Sequence, residues 1–145
     1  MSSIQKKHVI TSAVAISAAV LIAVIFIFVR GARLALIAEK TSWATGNTCN
    51  IIAIYISTSD SPHWPTSWDD LESVTWNDQW PYWPEDRAYY ESNVHIDFDL
   101  SLIDVATMTQ ENFNAIEAIG PHYGFQEYWY LTLIEAAQEA ITNNP

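Results

Sequence analysis

Residues 9–29 read VITSAVAISAAVLIAVIFIFV, twenty-one consecutive positions without a charge, a proline or a glycine. Only Thr11, Ser12 and Ser17 are polar, and a hydroxyl can bond back to the carbonyl one helical turn earlier. As an α-helix the run is about 31 Å long, the hydrocarbon thickness of a bilayer. A helix that is apolar around its whole circumference has no face to present to water, which a soluble core helix rarely sustains over such a length. The stretch therefore predicts a transmembrane helix over residues 9–29. A cleaved signal sequence would have a shorter apolar part, about 7–15 residues, ending at a small-residue cleavage site. Here Phe26, Phe28, Val29 and Arg30 close the run, so an uncleaved anchor is expected.

Charge divides at the same place. Residues 1–40 hold Lys6, Lys7, Arg30, Arg33 and Lys40 against one acid, Glu39, a net +4; residues 41–145 hold one basic residue, Arg87, against sixteen acids, a net −15. So acidic a region repels phosphate backbones, and nucleic acid is excluded as a partner. Basic residues flank the apolar run almost equally, so the positive-inside comparison is close to a tie. Only a stub, residues 1–8, precedes the run, and acids hinder export little. The expected arrangement is a cytoplasmic stub with the acidic domain on the extracytoplasmic side.

Beyond the anchor, residues 30–58 predict a helical stem with a weak point at Gly46-Asn47. Its second half, CNIIAIYIS (49–57), is an apolar run short enough to be either helix or buried strand. Pro62 and Pro65 mark a loop, and TSWDDLE places Ser67 as N-cap with Asp69 and Asp70 in the first turn of a short helix. Val94, Ile96, Phe98 and Leu100 alternate with His95, Asp97, Asp99 and Ser101, the clearest strand pattern in the chain. Thr107 to Gln110 reads as a capping box opening a helix that buries Phe113 and Ile116, ended by Gly120-Pro121. Residues 125–142 form an amphipathic helix with Tyr130, Leu133, Ile134, Ala137 and Ile141 on one face. The sum is an α+β protein: an anchor (9–29), a stem (30–58) and a small acidic, Trp-rich domain (59–145) with few strands.

No catalytic or metal site is assigned. VHIDFDLSLID (94–104) resembles the first motif of haloacid-dehalogenase-type phosphatases, which implies a nucleophile at Asp97 and an acid/base at Asp99 beside Mg²⁺. An alternating strand with acids on its wet face gives the same pattern, and no Lys or Arg follows Arg87 to bind a phosphate. Asp69, Asp70 and Glu72, or Asp97, Asp99 and Asp104, offer hard oxygen ligands without an EF-hand spacing. His63, His95 and His122 lack zinc-ligand spacing, and Cys49 has no partner for a disulfide. No fingerprint for a nucleotide or other cofactor is present. The best candidate binding residues are Trp76, Trp80 and Trp83, within a cluster of five tryptophans from Trp64 to Trp83. Aromatic faces there could grip a protein partner, or else fill the core.

The stretch IAIYISTSDSPHWPTSWDDL (52–71) is similar to the stem end of type II secretion pseudopilins, where an aliphatic-Tyr helix precedes a Trp-Pro-Thr segment and a short helix ending in Leu. With the apolar helix before it, the resemblance to type IV pilins and pseudopilins covers residues 9–71. It implies homo-assembly through the apolar helix into a filament or secretion complex. The Gly that precedes the apolar run in that family, and the Glu five residues into its mature chain, are absent here. Three expectations follow: membrane lipid as a partner through residues 9–29, a protein partner or homo-assembly for the domain, and no cofactor.

Overall fold

The structure is a computed structural model that describes residues 3–74, 87–124 and 126–143. It is mainly helical, with one small sheet, an α+β layout. Helix α1 (Ser3–Thr58) is followed by α2 (Trp68–Glu72), α3 (Arg87–Asn93), strand β1 (Val94–Ile96), α4 (Leu102–Thr107), a 3₁₀ turn (Gln110–Asn112), strand β2 (Ile116–Ala118) and α5 (Gln126–Asn143). Two compact units divide between Leu36 and Ile37, within α1. The first comprises residues 1–36. The second, residues 37–145, takes in the distal part of the stem together with everything after it.

The stem carries no break at Gly46-Asn47, and CNIIAIYIS is helix throughout. The reason lies in how this segment is packed. Residues 44–49 are buried without interruption, and six consecutive positions exceed one 3.6-residue turn, so every side of the helix is covered. A helix enclosed on all sides needs small residues for close approach and must satisfy its own polar groups. Ala44, Thr45, Gly46 and Thr48 supply the first requirement. For the second, Thr45 donates to the Thr41 carbonyl and Thr48 to the Ala44 carbonyl, each at 2.9 Å. One turn earlier Thr41 donates to the Ile37 carbonyl at 3.1 Å, with the Asn93 side-chain oxygen at 3.3 Å. Residues that read as helix breakers are thus the ones that let the domain close around the helix.

Farther along, Ile51, Ile52 and Ile56 enter the main core with Trp64, Leu71, Tyr90, Val94, Ile96, Val105, Ile116, Leu133 and Ala137. Full burial of an aliphatic side chain contributes about 1.5–3 kcal/mol. Asn47 donates to the buried Tyr90 hydroxyl at 3.3 Å, and the Ser42 hydroxyl accepts the Tyr123 N–H at 2.8 Å. These bonds fix α3 and the turn before α5 against the stem.

The sheet is a two-stranded antiparallel pair in which Val94 faces Ala118, His95 faces Glu117 and Ile96 faces Ile116. Val94 and Ile96 point into the core and His95 outward, as the alternation predicts. The strand ends sooner than the pattern, however. At Asp97 the chain turns, because the Asp97 carboxylate accepts the Asp99 N–H (3.1 Å) and its carbonyl accepts the Trp64 indole N–H (2.8 Å). Ile116 lies on β2, not on a helix. Thr107 ends α4, donating to the Asp104 carbonyl, and the box forms two residues later, where Asn112 accepts the Thr109 N–H at 2.6 Å and supports only a 3₁₀ turn. The C-terminal helix forms as expected and buries Leu133, Ile134, Ala137 and Ala140.

Two caps hold acids ionised. Ser67 is the N-cap of α2 but makes no side-chain bond there; Asp70 instead reaches back to the Thr66 N–H and hydroxyl. At α4, Ser101 and Asp104 form a reciprocal capping box. The Thr66 N–H, then its hydroxyl, hold the Asp70 carboxyl below its ordinary value, and the Ser101 hydroxyl and N–H do the same for Asp104. A carboxyl depressed on folding adds stability that is complete above the unfolded-chain value near ~3.9 and is lost as pH falls through the lower folded value. Acid unfolding should therefore steepen below about pH 4. In D70N and D104N, urea unfolding followed between neutral pH and pH 3 should show a shallower acid limb; a limb as steep as the wild type's would assign the effect elsewhere.

Candidate functional site

The most distinctive surface belongs to the first unit. Ile16, Val20, Leu21, Ile22, Val24, Ile25, Phe26, Ile27, Phe28 and Val29 are each at least 45% exposed, and no residue from 16 to 36 is buried. Soluble monomers rarely leave contiguous apolar patches larger than roughly 300–600 Å² open to water. A helix whose backbone bonds are internally satisfied, and whose apolar side chains face outward on every side, matches a hydrocarbon solvent. By length and composition this is the one described helix able to cross a membrane.

In the second unit, Trp64 is buried in the core, and Trp68 packs edge-on against Phe98 with ring centroids 6.2 Å apart. These two of the five clustered tryptophans are structural. Trp76, Trp80 and Trp83, the residues singled out for binding, lie outside the described residues. On either side of them, Arg87 links α3 to α2. Its guanidinium meets Asp69 and Glu72 at 2.5 Å each and Glu91 at 2.6 Å. Glu91 first, then Glu72 and Asp69, raise the Arg87 pKa. All the groups lie toward solvent, so the cluster positions helices more than it stabilises them.

Asp97 and Asp99 stand in the turn after β1, not on an extended strand, and β1 pairs antiparallel with β2. Among the described residues no three His, Cys, Asp or Glu side chains converge as a metal site. His63 is held by Tyr55, whose hydroxyl lies 2.6 Å from Nε2, while Nδ1 lies 2.9 Å from the Ser61 carbonyl. A ring bonded through Nδ1–H to that carbonyl presents Nε2 as acceptor for the Tyr55 hydroxyl. The pair ties the end of α1 to the loop after it, and its edge-to-face ring contact serves the same purpose.

Cys49 is fully enclosed, and burial pushes its thiol pKa up. Thiolate, the reactive form, is suppressed on both counts. Cys49 therefore cannot report which side of a membrane the folded domain occupies. A maleimide pulse should leave it unmodified in native protein and modify it fully in denaturant, with the labelled fraction tracking global unfolding. Rapid native labelling would contradict its enclosure.

What sequence reasoning missed is the seating of α5 on α1. The Trp129 indole lies over Gly46 so closely that a β-carbon there would come within 2.5–2.7 Å of three indole carbons. The signal was present in the isolated glycine within a helical pattern, which marks close approach as readily as weakness. Compared with known proteins, the chain matches no family model, no curated protein and no solved structure.

Proposed function

We propose that the chain is a single-pass membrane protein. Residues 9–29 anchor it, and the acidic domain is held on the extracytoplasmic side as a non-enzymatic module for protein interaction or envelope structure. The observation that carries this reading is the run of outward-facing apolar side chains from Ile16 to Val29, which only an apolar solvent or partner can accommodate. The wild-type protein should stay in the membrane pellet through alkaline carbonate extraction. The double variant I16R/I22R, three residues either side of the run's midpoint, should be released, since each arginine near the bilayer centre costs about 2.5–3.5 kcal/mol on insertion scales. Release of the wild type would sink the anchor. Sidedness is tested by S57C, at an exposed position near the end of α1. The buried Cys49 does not compete for an impermeant maleimide. Labelling in intact cells supports export, and labelling only after lysis refutes it.

A second reading is a pseudopilin-like assembly subunit. The observation that favours it is the uninterrupted α1 from Ser3 to Thr58, leading into the Pro62–Pro65 loop and a short helix ending near Leu71. Crosslinking cysteines placed along residues 30–36 in native membranes should then give a ladder of this chain with itself. Crosslinks to one different protein would favour the tethered module.

A further inference from the structure

Immediately beyond the apolar run stand two arginines, Arg30 and Arg33, three residues apart on α1. We infer that they clasp the phosphate of an anionic phospholipid headgroup; this rests on the anchoring reading above. Helix positions three apart are neighbours on one face, and both side chains are exposed. Among the described residues neither guanidinium has an ion-pair partner, since the ion pairs there all belong to Arg87. The acid nearest in sequence, Glu39, is six positions past Arg33, on a different face of the helix.

The depth is also right. One and four residues past Val29 correspond to about 1.5 and 6 Å along the axis, within a headgroup layer about 5–7 Å thick on each side of the hydrocarbon. Guanidinium forks match phosphate oxygens in a bidentate geometry that an ammonium cannot reproduce. The rival occupant, a carboxylate from the acidic domain of a second copy, would have to be drawn down to that same depth.

The test uses the full chain in nanodiscs of equimolar phosphatidylglycerol and phosphatidylcholine, with retained lipid counted by native mass spectrometry. The wild type should retain phosphatidylglycerol preferentially. R30Q/R33Q should lose that preference, by roughly fivefold for each arginine. R30K/R33K should keep a weaker preference, carrying the charge without the fork. An unchanged preference in R30Q/R33Q would overturn the clasp, as would acid-to-arginine crosslinks between two copies that persist whatever the lipid. Carbonate extraction of the same proteins keeps the two readings apart. Release of the wild type fails the anchor itself, whereas membrane retention with unchanged lipid preference fails only the clasp.

Discussion

Replacing Gly46 by alanine should destabilise the domain by about 1–2 kcal/mol, although alanine is the better helix former. Two effects of opposite sign decide the outcome. In an exposed helix the change would gain about 1 kcal/mol from backbone propensity. Here the new methyl would overlap three carbons of the Trp129 indole, at 2.5, 2.6 and 2.7 Å. Those atoms belong to the rigid ring system, so no small rotation clears them. Overpacking of this kind costs about 1–3 kcal/mol and sometimes more, and swinging the indole out would surrender its contact with the core. Urea unfolding of the second unit's signal should give a lower midpoint with an unchanged slope. The double variant G46A/W129A should be less damaged than the two single effects added together, because the clash needs both groups. Equal or greater stability in G46A alone would refute the close seating of α5 on the stem.

Trp64→Ala should have the larger effect, about 3–5 kcal/mol for loss of a buried aromatic side chain. Small domains have roughly 5–15 kcal/mol in all, so this loss takes a large share of the total and should lower the melting temperature by more than about 10 °C. Trp64 is 3% exposed and its indole N–H reaches the Asp97 carbonyl. It thereby holds the Pro62–Pro65 loop against the end of β1. Trp64→Phe separates packing from the bond: it keeps most of the apolar area and removes the donor, which should cost about 1 kcal/mol. Circular dichroism melts of the two variants provide the measurement. Near-wild-type melting of Trp64→Ala would place this tryptophan outside the core.

Much of the architecture was legible where one physical requirement dominated. Residues 9–29 are apolar on every side and predict one long helix, which is there, and the spacing of Leu133, Ile134 and Ala137 admits only a helix with one buried face. The stem was harder, because CNIIAIYIS satisfies helix and buried strand equally and only the enclosure of residues 44–49 by later elements decides between them. The strand from Val94 was readable for three residues. Its end at Asp97 depends on an indole thirty-three positions earlier, which no local pattern encodes. Ile116 was misread for a related reason: its partner is Ile96, and pairing across that distance overrode the local capping signal. The candidate binding tryptophans could be named from composition alone, but a cluster of aromatics does not encode which members face inward.

The threonines along α1 have a consequence for the order of folding. Because Thr45 and Thr48 donate to carbonyls one turn back, these two buried hydroxyls need no hydrogen bond from the elements that later enclose them. This part of the helix is also made first, ahead of everything it will contact. Closing the domain then requires α5 to return to Gly46 across nearly the whole remaining chain, a contact of the long sequence separation that slows folding.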